Sequence, residues 1–293
     1  MSELKLDYEN ARGDTLALSY NQNFHISNID GMTSMSSNIS SSIIGGIDGD
    51  TVNNIQAQPR SIILDLTVNN NADVEDTKRH ILNVIKAKQK CALVWEQNDR
   101  IVKIEGIVEA IEMPRWVQGV TMQVTIHCEK PFWEDIDFVL KQISDAIDLH
   151  YFTESPYDML YFPIEGIPFG EYDSIRTKTF HNAGDVAVGL EITIVALSTV
   201  TNPIIYDVDG NFFGVGYGTG EKRLVMEMGD NIVITTTKGK KTVTLNGVNI
   251  FDKIKPNSTW LQLEAGDNQF TINSDDEATN NMRFNLSYKQ QYI

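Results

Sequence analysis

The stretch from Thr121 to Asp135, Thr-Met-Gln-Val-Thr-Ile-His-Cys-Glu-Lys-Pro-Phe-Trp-Glu-Asp, constrains the fold of this chain more than any other. Met122, Val124, Ile126 and Cys128 alternate with Gln123, Thr125, His127 and Glu129, the period of two that turns one set of side chains into a core and the other toward water. Pro131 has no backbone donor, so strand pairing is expected to end before it. The residues upstream read as one compact unit that this strand completes, and the pattern changes after Trp133. A first domain is therefore expected over residues 1–135.

A chain of 293 residues exceeds the commonest single-core size, which favours two domains. With 41% hydrophobic and 22% charged residues, it has the composition of a folded protein. Twenty-four Lys and Arg face 40 Asp and Glu, a formal net charge of −16. That balance disfavours nucleic-acid binding through phosphate neutralisation, but it suits a surface that DNA slides past. Cys91 and Cys128, the only cysteines, stand beside apolar residues and read as small core hydrophobes, not a disulfide. The N-terminus is too polar for a signal peptide and no apolar run approaches ~18 residues, so the expectation is a protein made in the cytoplasm.

Leu16, Leu18 and Tyr20 alternate, and Phe24 and Ile26 continue the pattern, which predicts an opening pair of strands. Residues Gly31 to Asn54, rich in Ser with Met and Ile, read as a loop, long for a connection within a compact domain. A strand follows with Ile62, Leu64, Leu66 and Val68 on one face. Asp73 is an N-cap, and the spacing of Val74, Ile81, Leu82 and Ile85 predicts an amphipathic helix over Val74 to Lys90. Ala92 to Trp95 and Ile101 to Ile111 are strands, with a turn at Gln97 to Asp99. Many strands around one helix give an α+β or split-barrel domain.

Residues 136–172 read as a connector, with a short helix over Phe138 to Ile147 and an aromatic, proline-bearing run from Tyr151 to Phe169 that reads as an extended linker packing its rings on both domains, the alternative being an aromatic ligand platform. From residue 173 to 293 the pattern is all β. Short strands alternate with turn signals at Asp209-Gly210, Gly229-Asp230, Lys238-Gly239, Asn246-Gly247 and Ala265-Gly266-Asp267-Asn268, which predicts a β-sandwich.

Motifs for chemistry are absent. The five histidines have no metal-like spacing, and neither Gly-x-Ser-x-Gly nor His-Glu-x-x-His occurs. Gly214, Gly216, Gly218 and Gly220 alternate strictly, which reads as close approach of another backbone and not as a phosphate loop. Asp207-Val-Asp209-Gly-Asn211 begins like a calcium loop but has Gly218 at the closing position, so a hairpin tip is the better account. Acidic neighbours such as Glu264 and Asp267, or Asp275 to Glu277, read as solvated charges. No catalytic, metal-binding or cofactor-binding residue is expected.

Several of these segments together resemble the distal tail proteins of long-tailed bacteriophages that infect Gram-positive bacteria. Gly46-Ile-Asp48-Gly49 precedes a strand led by Arg60, a helix follows, and the domain leaves through Cys128, Pro131 and Phe132. Further on come Asn182-Ala-Gly184, Thr219-Gly220, Gly229-Asp230-x-Ile232 and Trp260-Leu-Gln-Leu263-Glu-Ala-Gly266-Asp-Asn268. Ala265 and Ile47 depart from the family, which commonly shows a proline and a basic residue there. The resemblance implies a mainly β chain: an N-terminal ring domain like a tail-tube subunit, then a galectin-like or carbohydrate-binding-module-like sandwich. It further implies a homohexameric ring in the virion that joins tail tube and tape-measure protein to the tail-tip hub and the receptor-binding apparatus. On that basis Met32, Met35, Ile39, Ile43, Ile44 and Ile47 are candidates for contact with a neighbouring subunit, and Gln123, Thr125, His127 and Glu129 for a lumen or subunit-facing strand. The alternative is glycan attachment through the sandwich, with Trp260, Tyr217 and Phe213 as stacking rings, although Trp260 reads better as the start of a core strand.

Overall fold

The structure, a computed structural model, describes residues 5–19, 21–46, 48–69, 72–97, 100–113, 121–142, 146–147, 171–172, 177–276 and 281–293. It divides into two units, Met1–Asp137 with Gln291–Ile293, and Phe138–Gln290.

The first unit contains β1 (Lys5–Asn10), β2 (Thr15–Ala17), β3 (Phe24–Asp30), β4 (Ser37–Ser42), β5 (Thr51–Ala57), β6 (Arg60–Val68), α1 (Val74–Val84), β7 (Lys90–Gln97), β8 (Arg100–Glu112), β9 (Thr121–Cys128) and β10 (Trp133–Asp135). Its main sheet runs β2-β1-β7-β8-β9-β6-β3, with β10 paired to β8 and to the strand Gln291–Tyr292. The alternation in β6 and β9 is realised in register: Ile62, Leu64 and Leu66 stand opposite Ile126, Val124 and Met122, all buried. Fully burying such a side chain contributes roughly 1.5–3 kcal/mol, so these pairs anchor the core. Strand β1, not anticipated from the sequence, alternates in the same way, with Leu6 and Tyr8 both 0% exposed between Lys5, Asp7 and Glu9.

Asp73 caps α1 as expected, its Oδ1 accepting from the Glu75 and Asp76 amides at 2.9 and 3.0 Å. The helix stops at Val84, short of the expected Lys90. The cause is competition from β8: the Lys88 amide donates to the Val108 carbonyl and the Val108 amide to the Gln89 carbonyl, while Lys88 adopts φ 66°. Ile81 and Ile85 meet the sheet core, whereas Val74 and Leu82 lie at the helix edge, exposed. The second correction is at 31–54. Instead of a loop, β4 and β5 form a separate two-stranded sheet, exposed at every position.

Gln291–Ile293 belong to this first unit, because Tyr292 and Gln291 pair with Trp133 and Glu134. Arg100 lies 4.0 Å over the Tyr292 ring, and the Tyr292 hydroxyl donates to Asp135 Oδ2 at 3.2 Å.

The second unit contains two main sheets. One has the order Val139–Gln142, Met282–Tyr288, Glu191–Ala196, Asn231–Thr235, Thr242–Leu245, Val248–Asn249; the other runs Thr177–Asn182, Gly266–Asn273, Ile204–Asp207, Phe212–Gly214. Ile192, Ile194, Ile234 and Phe284 from the first share a core with Phe180, Ile205, Phe213 and Phe270 from the second, the sandwich the turn spacing predicts. Asn246 and Gly247 both take positive φ, as a two-residue hairpin turn with the right twist requires. The short helix expected over Phe138 to Ile147 is instead a strand, Val139–Gln142, with Ala146–Ile147 in a separate pair; the strand closes the edge of the six-stranded sheet against Met282–Tyr288, with Val139 packed on the core and Leu140 exposed. The aromatic run from Tyr151 to Phe169 lies outside the described residues.

Of the four alternating glycines, only two carry the expected close approach. A Cβ at Gly214 would meet the Lys255 side chain and one at Gly216 the Leu224 backbone, whereas Gly218 and Gly220 face open space. Trp260 precedes its strand, which is only Gln262–Leu263. No helix among the described residues is long and apolar enough to cross a membrane.

Candidate functional site: an exposed arm and a polar sheet face

The arm begins where β3 ends. Gly31 takes φ +82°, and a Cβ there would run into the Ser61 carbonyl oxygen, so the exit turn needs glycine. Met32 follows, 9% exposed, its carbonyl accepting from Arg60 Nη1 and, at 3.1 Å, from Trp133 Nε1. Met32 is thus part of the core at the root of the arm. It is not available to a neighbour, a correction to its place among the contact candidates. The Gln58 amide closes the base on the Ser36 carbonyl at 2.9 Å.

Beyond that base the arm has no core of its own. Ile39 stands directly opposite Ile55, at 57% and 63% exposure, and Val52 is opposite Ser41 past a bulge. Met35, Ile43 and Ile44 are exposed as expected; Ile47 lies outside the described residues. Val52 and Ile55 were missed because they are scattered among Asn and Gln, and only the register shows that Ile55 joins Ile39. An isolated two-stranded ribbon is marginal in water, and an apolar pair on it gains only when something covers it.

The second candidate surface is the face of the main sheet away from its core. Gln123, Thr125 and His127 are half-buried there and Glu129, just past β9, is exposed. Gln123 Nε2 donates to Asp65 Oδ1 at 2.9 Å, Asn28 Nδ2 to Asp65 Oδ2 at 3.3 Å, and the Thr67 and Thr121 hydroxyls are 3.0 Å apart. This polar ladder ties β3, β6 and β9 together across the face. By alternation the same face carries Asp7, Glu9, Asp65, Glu96, Glu105 and Glu112 against Lys5, Lys90 and Lys103, so it is acidic. Lys5 meets Glu96 and Lys103 meets Glu9, each at 3.2 Å.

On the opposite, core face, Cys91 pairs with Gly106 and Cys128 with Arg60. Both cysteines are free and buried, and burial pushes their thiols up to about 12 and about 11. They are core residues, as the sequence implies. Burial also lowers the Arg60 pKa.

The remaining polar motifs serve the fold. Asp207 Oδ1 accepts from the Asn211 amide at 2.8 Å and closes a hairpin turn. Asp276 Oδ2 accepts from the Thr201 amide, and Asp275 Oδ2 from Asn202 Nδ2. Among the described residues there is no cluster of three His, Cys, Asp or Glu with metal-binding geometry. Phe213 is 1% exposed, so it presents no ring to a sugar, and half-buried Trp260 is flanked by Phe213 at 4.8 Å, Phe251 at 5.8 Å and the Lys241 ammonium at 5.1 Å. Tyr217 is half-buried in the glycine-bearing segment.

Residues 183–292 match the family model of the siphovirus-type tail component, C-terminal domain. That match places the second unit of the chain beside the C-terminal domain of siphovirus-type tail components. Its fold is similar to that in the crystal structure of SPP1 Dit (gp 19.1), described as a paradigm of the hub adsorption apparatus in Gram-positive infecting phages, with TM-score 0.62 and 13% identity over 99% of both chains. Chains of the phage P2 baseplate in its activated conformation with Ca and with Sr match over 98% of each chain at 13% identity, with TM-scores of 0.44 and 0.43. No curated protein matches. The likeness is thus one of fold over the whole chain and of family over residues 183–292.

Proposed function

We propose that this Dit-like protein forms a homohexameric ring that joins the tail tube and tape-measure protein to the tail-tip hub and carries the receptor-binding apparatus. The observation that carries the proposal is the arm: a paired ribbon, β4 and β5 exposed at every position, with Ile39 and Ile55 side by side and no described residue of their own unit burying them. The proposed cover is the neighbouring copy. Six identical head-to-tail contacts of this kind close a ring. The acidic, hydrogen-bonded sheet face suits a lumen that DNA traverses without sticking, because like charge repels the phosphates.

In this reading the protein is a scaffold with no catalytic step of its own, made in the host cytoplasm and carried into the virion. Cell-wall zymography is expected to show no clearing. Negative-stain images of the protein co-expressed with its hub partner test the assembly: six-fold rings support it, and isolated chains under those conditions contradict it.

A further inference from the structure

We infer that Arg60 and Trp133 are positioning residues for the arm: their two side-chain donors converge on the Met32 carbonyl and set the direction in which the arm leaves the sheet. This rests on the reading of the arm as the docking element.

Arg60 follows Pro59 at the start of β6 and is 4% exposed; Trp133 comes from β10 and is 1% exposed. Residues distant in sequence thus send N–H groups to one carbonyl, that of the first residue after the Gly31 turn. Asp30 Oδ1 accepts from the Gly31 amide at 2.8 Å and fixes the same turn. Arg60 Nε and Nη2 are buried without an acceptor. Burying a guanidinium, which stays protonated, on a single neutral carbonyl is a poor device for stability, since the desolvation of the charge is not offset by an anion. What the arrangement does supply is direction. Past the Ser36–Gln58 closure, the side-chain bond between Ser42 and Asn53 lies within the arm itself. A pinned root lowers the ordering cost of docking.

A purely structural role for Arg60 predicts the opposite stability change. In Arg60→Met the Met32 carbonyl keeps Trp133, and an unpaired buried charge disappears, so thermal stability holds or rises while the arm loosens. The test is a spin-label distance measurement on the full chain, with nitroxides at Asn54→Cys on the arm and Glu105→Cys on the sheet. It is made in dilute solution where light scattering shows single chains; the buried native thiols stay unlabelled.

The expected result is a narrow distance distribution in the parent, about twofold broader in Arg60→Met and in Trp133→Phe, and broader still in the double variant, with the near-ultraviolet dichroism of the folded state retained. An unchanged width in the double variant overturns the inference, as does broadening that appears only together with loss of that signal. Failure of the underlying reading shows separately: rings formed by Ile39→Asp/Ile55→Asp would remove the docking role without altering the distance result.

Discussion

Strands β5 and β6 are separated only by Gln58 and Pro59, yet they represent two different ways of being a strand. Every residue of β5 is exposed, while β6 buries Arg60, Ile62, Leu64, Leu66 and Val68 and is paired on both sides, to β3 and β9. Both are held by antiparallel pairing, β6 along two edges and β5 along one, with β4. The difference is the face: β6 removes apolar surface from water within its own unit, and β5 leaves Ile55 beside Ile39 in solvent. Backbone pairing shapes a strand, but burial of a face stabilises it, and β5 gains no such burial within its own unit.

This contrast breaks if both strands respond alike to truncation. Leu64→Ala is expected to cost about 2–5 kcal/mol by denaturant unfolding, the usual range for a buried leucine. A second effect of the sheet appears at high pH. Burial favours the neutral forms of the Cys91 and Cys128 thiols and pushes them from an ordinary 9.0 up to about 12 and about 11. Their contribution is fully present below pH 9 and is lost as pH rises through 11 and 12, by about 1.4 kcal/mol per pH unit for each group while the folded form stays protonated. A Cys91→Ala/Cys128→Ala variant should flatten that slope; an equal slope in the variant would assign the alkaline loss elsewhere.

Smaller again is the helix cap. Asp73→Ala should cost ~1 kcal/mol, read by thermal unfolding, because the Glu75 and Asp76 amides lose their acceptor. At the bottom of the scale, Ile55→Ala should change the stability of the single chain by less than about 0.5 kcal/mol in the same denaturant series, since its side chain is already in water. A cost near that of Leu64→Ala would mean that the arm is packed within its own chain.

What the sequence revealed follows the same division. Alternation at β6 and β9, the cap at Asp73 and the Asn246-Gly247 turn are local signals, and each has a local cause. The arm escaped because a ribbon with two exposed faces has no reason to alternate, so its Ser and Asn content read as loop. Met32 was grouped with the exposed apolar residues because sequence cannot distinguish a root from a tip. Arg60 escaped because a charge at a strand start is ordinarily solvated, and only the fold brings Met32, Arg60 and Trp133 together. The return of Gln291 and Tyr292 to the first unit is a tertiary pairing with no signature in two residues.

The central claim, that the arm is completed by a second copy, is tested most directly by the solution mass of the purified protein beside that of Ile39→Asp/Ile55→Asp. The account predicts a parent species at six times the 32.9 kDa chain mass and a variant at the mass of one chain, folded like the parent. A parent that stays single at high concentration, or a variant that assembles as the parent does, would contradict it.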